Sequence, residues 1–185
     1  MNRPRSFRSL RRPRRPWQAF LLIVLCLAVV LSRQFRPALF EHAAPHAIEP
    51  GVYHVARVVD GDTLVVSEPR ERVRLIGADT PETVKPNHPV EPWGPQATEF
   101  TKAFLSGGEV RLEFDAESRD KYGRILAYVW VGDRMLNEEL IRAGLARAEM
   151  QYRYSAANKA RFRQAESEAQ AARRGIWSGE KSSLP

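Results

Sequence analysis

The chain has 185 residues, of which 43% are hydrophobic and 28% charged, so it can form one packed domain with an appendage and is not wholly disordered. The formal net charge is +7, but residues 1–36 carry nine arginines and no acid, whereas residues 37–185 carry 20 basic and 22 acidic residues, a balance of −2. The body is therefore not a uniformly basic DNA-coating protein. The single cysteine, Cys26, excludes an intramolecular disulfide.

The first 50 residues have the composition of an export segment followed by a linker. Seven arginines lie within residues 1–16, and an apolar run fills most of residues 17–35. This order predicts a signal anchor over residues 17–35 that holds the protein in a membrane, with a cleaved signal peptide and secretion as the alternative. Because the arginines stay cytoplasmic, we expect the body outside the cytoplasm, periplasmic or extracellular. The prolines of residues 36–50 indicate a linker.

The body of the chain begins near Gly51 with strand patterns. Alternating apolar residues and β-branched runs predict five strands, over residues 52–60, 63–66, 72–76, 109–114 and 125–131. The turn residues Asp60-Gly61-Asp62 separate the first two strands.

Helical spacing appears between and after these strands. It predicts a helix over residues 92–105, a short helix capped by Asn137, and a longer helix over residues 156–174 that Gly175 ends. The inward face of the last helix is expected to carry Phe162, Ala165, Ala169 and Ala172. Five short strands with interspersed helices favour a small α+β barrel.

Three acidic side chains, Asp62, Asp79 and Glu82, stand at the ends of predicted strands or in the turns beside them. Carboxylates rarely adjoin an apolar strand unless they are paired or bound to a metal. Together with the oxygens of Thr80 they suit a hard divalent cation such as calcium, whose ligands are oxygens. These segments contain no histidine or cysteine to suit zinc.

Two arginines, Arg74 and Arg124, also adjoin apolar strands and can point to the same place. A guanidinium fits phosphate oxygens bidentately, so two of them beside a cation form a clamp for an anionic centre. Such a clamp would stabilise the additional charge of a pentacoordinate phosphorane. Glu82 would then accept a proton from the attacking water or position it. Taken together, these residue types suit attack by water on a phosphate held beside a divalent cation.

Each segment has a simpler interpretation when it is taken alone. Residues 60–62 are typical of a tight turn, and residues 79–82 of a turn or a helix start. Residues 120–124 are compatible with a solvated charge cluster. Only their combination favours a catalytic site.

The combination resembles the staphylococcal (thermo)nuclease family. The matching motifs are Asp60-Gly61-Asp62-Thr63, Arg74-Leu75, Asp79-Thr80-Pro81-Glu82, Asp120-Lys121-Tyr122-Gly123-Arg124, Asn137-Glu138, Gly144-Leu145-Ala146 and Gly175-Ile176-Trp177. The resemblance implies an α+β fold on a five-stranded OB-fold β-barrel with about three helices, over residues 51–178, with residues 179–185 as a tail. It also implies a calcium-dependent endonuclease, a phosphodiesterase that hydrolyses DNA and RNA and leaves 3′-phosphate products.

The resemblance also implies roles for individual residues. Asp62 and Asp79 would be calcium ligands, and Thr80 would add its main-chain carbonyl. Glu82 would be the general base or the group that orients the water. The two arginines of the clamp would bind the scissile phosphate and stabilise the transition state.

Four further residues are candidates for substrate binding. Lys121 and Tyr122 match positions near the phosphate end of the nucleotide, and Tyr152 and Tyr154 match a tyrosine pair that lines the nucleotide pocket in the family. Here the stretch after residues 144–146 is longer, and the proline expected after the pair is absent. The alternative is that both tyrosines pack on the barrel as loop aromatics.

The net charge of residues 37–185 is close to zero, so these residues can make few basic contacts with phosphates. We therefore expect modest affinity, strong salt dependence and a preference for single-stranded or frayed nucleic acid. A barrel of this size is expected to act as a monomer. The alternatives are a catalytically silent nucleic-acid- or protein-binding module of the same fold and an envelope structural protein, and both leave the combination of acids and arginines unexplained.

Overall fold

The structure is a computed structural model of the chain. It describes Leu25, residues 48–84 and residues 89–179. The fold presented here is that of the compact unit Ile48–Pro185.

The expected N-terminal segments lie almost wholly outside the described residues. This applies to the basic region 1–16, to the anchor 17–35 apart from Leu25, and to most of the linker 36–50. In residues 48–84 and 89–179, no helix combines the length and the apolar character needed to cross a bilayer.

The described residues form eight strands and three α-helices. The strands are β1 (Gly51–Asp60), β2 (Thr63–Ser67), β3 (Glu71–Leu75), β4 (Ala78–Asp79), β5 (Glu109–Glu113), β6 (Ile125–Val131), β7 (Arg134–Met135) and β8 (Arg147–Ala148). The helices are α1 (Gly94–Phe104), α2 (Leu136–Arg142) and α3 (Ala156–Ala171), and a 3-10 turn follows over Gly175–Trp177.

Five of these strands close into a barrel. Antiparallel pairing joins β1 to β2 and β5, β2 to β3, and β5 to β6. The circle is completed by a parallel pair between β3 and β6, in which Val73 lies opposite Ile125 and Leu75 opposite Ala127. The prediction of a five-stranded OB-type barrel with three helices is confirmed.

The barrel interior is filled by the alternating apolar residues of the strands. Leu64 and Val66 of β2 and Val73 of β3 have no exposed surface. Phe162 and Ala165 of α3 belong to the same core. Ala172, expected on this inward face, is exposed because α3 ends at Ala171, three residues before the predicted end.

The prediction that Asn137 caps α2 is wrong. The helix begins at Leu136, and the side chain of Asn137 is fully buried. Its amide donates to the carbonyls of Ile76 at 2.9 Å and Ala127 at 3.2 Å and accepts from the amide of Val129 at 3.0 Å. Asn137 thus satisfies buried main-chain groups of the barrel, a stronger requirement than capping a helix.

Gly175 does not end α3 directly but brings the C-terminal turn against the end of α2. The amide of Ile176 donates to the carbonyl of Gly144 at 2.9 Å. A Cβ atom on Gly175 would lie 2.1 Å from that carbonyl oxygen, so only glycine permits this approach.

Candidate active site

Two adjacent cavities on one side of the barrel contain all ten residues predicted for the site. The carboxylate cavity, of about 460 Å³, includes Asp62, Thr80 and Glu82. The tyrosine cavity, of about 440 Å³, includes Lys121, Tyr122, Tyr152 and Tyr154. Arg74, Asp79 and Arg124 line both, so the predicted clamp lies where the two cavities meet.

Asp62 is held rigidly at the turn between β1 and β2. Its side chain is buried, with an exposed fraction of 2% for the residue. It accepts hydrogen bonds from the Thr63 hydroxyl at 2.9 Å, the Thr80 amide at 2.9 Å and the Thr80 hydroxyl at 3.0 Å. These bonds fix the carboxylate against Thr80, the residue that directly follows β4.

Arg74 projects from β3 and bridges two carboxylates. Its guanidinium contacts Asp62 and lies 2.6 Å from Asp79, and Glu149 lies at 3.8 Å. Burial alone would lower the pKa of Arg74, but the attraction of Asp62 and Asp79 outweighs it and raises the pKa above its ordinary value. Arg74 is therefore permanently charged, and the two carboxylates converge on one cation.

Glu82 lies in the loop after β4, with its carboxylate folded onto the following main chain. It accepts from the amides of Thr83 at 3.1 Å and Val84 at 2.9 Å. Partial burial raises the pKa of Glu82, but hydrogen bonding with the Val84 amide, the Asp60 side chain and the Thr83 amide outweighs it and holds the pKa below the ordinary 4.5. The lowered pKa means that the carboxylate is ionised at neutral pH.

Arg124 is oriented by Asp120, four residues earlier. Asp120 accepts from the amide of Arg124 at 3.0 Å and from its Nε at 2.7 Å. Burial raises the pKa of Asp120, but these bonds to Arg124 outweigh it and lower the pKa. Because Asp120 engages Nε, the two terminal nitrogens of Arg124 make no hydrogen bond within the described residues.

The two tyrosines of the predicted pair have different environments. Tyr152 has an exposed fraction of 58% and faces the tyrosine cavity. Tyr154 is half-buried, with its ring 5.9 Å from that of Phe162 and against Gly77. Burial, followed by the charge of Glu149, raises the pKa of Tyr154 to about 12. Tyr154 thus contributes to packing as well as to the cavity wall.

Tyr122 is the most exposed aromatic ring of the site, with an exposed fraction of 72%. Lys121 Nζ lies 5.0 Å and Arg124 Cζ 5.5 Å from its ring centroid. The ring therefore stands at the cavity mouth between two cations.

Sequence reasoning missed several acidic residues that line the two cavities, and Asp60, Glu91 and Glu149 are three of them. Glu91 accepts from the amide of Glu82 at 3.1 Å and donates its own amide to the Glu82 carbonyl at 2.9 Å. Burial raises the pKa of Glu149, and Asp79 adds to the shift. The Asp60-Gly61-Asp62 motif was a sequence signal for Asp60. No motif near Glu91 or Glu149 indicates that these residues reach the site.

The donor set of the carboxylate cavity fits calcium better than a softer metal. Asp62, Asp79 and Thr80 offer oxygen atoms alone, and both carboxylates contact the same guanidinium of Arg74. Within residues 48–84 and 89–179, no three histidine, cysteine or acidic side chains form one ligand cluster. Calcium held by two carboxylates and a carbonyl would have further coordination positions, which water and substrate would fill.

Comparison with known proteins places the chain in a family. The family model described as Staphylococcal nuclease homologue matches residues 72–179. The chain is 46% identical over 162 residues to a thermonuclease of Staphylococcus hyicus, which covers 85% of this chain and 95% of that protein. A thermonuclease of Staphylococcus intermedius is 54% identical over 129 residues, covering 68% and 75%. Endonuclease YncB of Bacillus subtilis (strain 168) is 42% identical over 125 residues, covering 66% and 59%.

Fold, site and relatives together define a class, the OB-barrel hydrolases of phosphodiester bonds. The chain belongs to the staphylococcal nuclease family, as its motifs predict. The prediction of an enzyme, a hydrolase with nuclease activity, is confirmed, and neither non-catalytic alternative is supported.

Proposed function

We propose that the protein is a calcium-dependent endonuclease that hydrolyses DNA and RNA and leaves 3′-phosphate and 5′-hydroxyl ends. The observation that carries the proposal is the position of Arg74, whose guanidinium lies against both Asp62 and Asp79. It places a phosphate-binding group directly beside the residues that suit a metal. The relatives are a nuclease set as well, two thermonucleases and an endonuclease, which supports the same activity.

Asp62, Asp79 and the Thr80 carbonyl would hold calcium. The carboxylate cavity is lined by five acidic side chains, Asp60, Asp62, Asp79, Glu82 and Glu91, and three arginines, Arg72, Arg74 and Arg124. This formal excess of negative charge favours a divalent cation. When bound, calcium supplies positive charge that polarises the phosphoryl group and helps to ionise a water.

The side chains of this protein would then carry out hydrolysis. Glu82 takes a proton from the water as the water oxygen bonds to phosphorus and the bond from phosphorus to the 5′ oxygen breaks. The departing 5′ oxygen takes a proton from solvent water and becomes the 5′-hydroxyl end. Arg124 offers its terminal nitrogens to the phosphate oxygens, since Asp120 engages only Nε. Arg74 exchanges a carboxylate contact for the phosphate and stabilises the charge that develops on it.

A cleavage assay on the full chain in detergent tests this proposal. We expect single-stranded DNA to be cut with calcium, spared with excess chelator, and cut again when calcium is restored. Glu82→Gln should lower kcat by roughly 10² or more, and Arg124→Ala by roughly the same factor. Gln164→Ala, on the exposed face of α3, is the matched control and should cleave normally. Cleavage that ignores the chelator, or a folded chain that does not cleave, would contradict the proposal.

We further propose that the enzyme prefers single-stranded or frayed substrates and acts as a monomer. The near-neutral charge of residues 37–185 supports the preference, because duplex binding depends on many basic contacts. Initial rates on matched duplex and single strands, at low and moderate salt, test it, and equal rates would contradict it. The molar mass of the purified protein, measured by light scattering, tests whether it is a monomer, and a mass of two or more chains would contradict the proposal.

We also propose that residues 17–35 anchor the protein in a membrane with the nuclease domain outside the cytoplasm. The arginines of residues 1–16 ahead of an apolar run support this orientation. Protease treatment of intact cells or spheroplasts should degrade the domain. Protection of the domain in intact spheroplasts, with degradation only after lysis, would contradict it.

A further inference from the structure

A third arginine, Arg72, lines the carboxylate cavity beside Arg74 and Arg124. Arg72 and Arg74 are two residues apart on β3, so their side chains leave the strand on the same face. Their Cα atoms are separated by about 6.6 Å along the strand. This is the scale on which successive phosphates follow one another in an extended single strand.

Arg72 is also a neighbour of Arg124 across the parallel contact that closes the barrel. Val73 pairs with Ile125, so the residues that precede them, Arg72 and Arg124, occupy the next position along the two strands. The three arginines therefore form a triangle at the edge of the carboxylate cavity, with Arg72 at the corner away from β4.

Arg72 differs from the other two arginines in its charge balance. Arg74 is compensated by Asp62 and Asp79, and Arg124 by Asp120. The side chain of Arg72 is exposed and makes no ion pair or hydrogen bond with any residue in the described ranges 48–84 and 89–179. Its positive charge stands next to that of Arg124, and an anion between them would relieve the repulsion.

We propose that Arg72 forms a subsite for a phosphate that flanks the scissile one, so that the enzyme holds at least two consecutive phosphates of a single strand. The proposal rests on the proposed function, because it takes the scissile phosphate to lie at Arg74 and Arg124. The scissile phosphate meets those two residues, and the strand continues past Arg72 toward the turn between β2 and β3. The ligand class is a single-stranded oligonucleotide with more than one phosphodiester.

A purely structural role for Arg72 makes a different prediction. If Arg72 only offset the acidic side chains of the cavity, its loss would change the cavity for every substrate alike. A flanking subsite instead acts only on substrates that extend beyond one phosphodiester. Substrate length therefore separates the two roles.

The test compares thymidine dinucleotide, with one phosphodiester, and a thymidine hexanucleotide. We expect Arg72→Ala to raise KM for the hexanucleotide about tenfold, the effect of losing one charged hydrogen bond. The dinucleotide should keep its KM and kcat. The dependence of hexanucleotide binding on salt, measured by fluorescence anisotropy in chelator, should become shallower by about 0.7 per lost phosphate contact. Arg72→Lys should recover part of both effects.

Arg173→Ala is the matched control, because Arg173 is an exposed arginine after the end of α3 and lies in neither of the two cavities of the site. It removes the same charge and should change neither KM nor the salt dependence. Equal effects of Arg72→Ala on both substrates, or an unchanged hexanucleotide KM and salt dependence, would overturn the subsite while the wild type still cleaves. Absence of cleavage by the wild type would instead overturn the proposed function, and the anisotropy measurement would still report on Arg72.

Discussion

The hydroxyl of Thr83 donates a hydrogen bond of 2.8 Å to the carboxylate of Asp60, 23 residues earlier in the chain. Asp60 ends β1 and is itself buried, and it also accepts from the amide of Gly61 at 2.8 Å. Thr83 directly follows Glu82, so this bond ties the loop of the proposed base to a fixed point of the barrel.

Thr83→Val should therefore lower kcat with little change in KM. The substitution keeps the shape of the side chain and removes the hydroxyl, so Glu82 loses its anchor but not its carboxylate. We expect a decrease of roughly tenfold, because small misplacements of a reacting group are costly. Steady-state kinetics on single-stranded DNA measure it.

Two controls accompany this variant. Thr83→Ser should restore activity, because it restores the hydroxyl. Thr98→Val should have a small effect, because Thr98 is 3.3 Å from Asp60 and has a second acceptor in the Gly94 carbonyl. An unchanged kcat for Thr83→Val would show that the bond does not position Glu82.

Gly61→Ala should destabilise the protein and disturb the candidate metal ligands. A Cβ atom at this position would lie 2.8 Å from the Cβ of Ala97 and 2.8 Å from the hydroxyl oxygen of Thr80. Because α1 packs closely here, we expect a loss of about 1–3 kcal/mol in the free energy of unfolding, measured in urea. Gly107→Ala is the control, since nothing lies within 4 Å of its Cβ position. Equal stability of the two variants would refute the close packing at Gly61.

Asn137→Leu should be among the most destabilising single substitutions. Leucine cannot replace the bonds to Ile76, Ala127 and Val129, so buried main-chain groups lose their partners. Each unsatisfied group costs about 1–3 kcal/mol, and we expect a loss of about 3 kcal/mol or more in unfolding free energy. The exposed Gln164→Ala should change stability by less than about 0.5 kcal/mol. A loss for Asn137→Leu no larger than this control would disprove the bridging role.

Asp115 should make stability depend on pH. It accepts from the Tyr128 hydroxyl at 2.6 Å and from the amide of Ser155, at the start of α3, at 2.8 Å. Burial raises the pKa of Asp115, but the bonds from Tyr128 and from the Ala116 and Ser155 amides outweigh it and lower the pKa from the ordinary 3.8. Its contribution is therefore complete above pH 3.8 and is lost as the pH falls through the lower pKa of the folded state.

Asp115→Asn should accordingly be less stable than the wild type at pH 7, by about 1–2 kcal/mol. The difference should shrink as the pH falls below 3.8. Urea unfolding at several pH values measures both. Asp133→Asn, in the exposed turn between β6 and β7, serves as the control. A difference that stays constant down to strongly acidic pH would show that ionisation of Asp115 does not matter.

Much of the barrel could be predicted because its strands carry a local signal. The predicted and observed bounds of the strand over Ile125–Val131 agree, and the strand at Glu71–Leu75 differs by one residue at each end. The two-residue strands β4 and β8 were missed, since so short a segment has no periodicity. Their pairing places Asp79 opposite Arg147, and only the tertiary fold brings these residues together.

In the candidate site, too, the residues in sequence motifs were predicted, and the residues that only the tertiary fold brings there were not. Its ten predicted residues come from motifs and meet at the two cavities, whereas their roles in binding and catalysis stay predictions. Glu149 and Glu91 reach the site through contacts that no motif marks. Asn137 was misassigned because the preference of asparagine for helix starts is weaker than the need of a buried carbonyl for a donor.

The parallel pair between β3 and β6 has a consequence for when the enzyme becomes active. Arg74 lies in one strand of that pair and Arg124 immediately precedes the other, and this pairing closes the barrel sheet. A chain whose barrel is still open holds the two arginines apart and has no clamp. The roles proposed for the two arginines therefore predict nuclease activity only in chains whose barrel has closed.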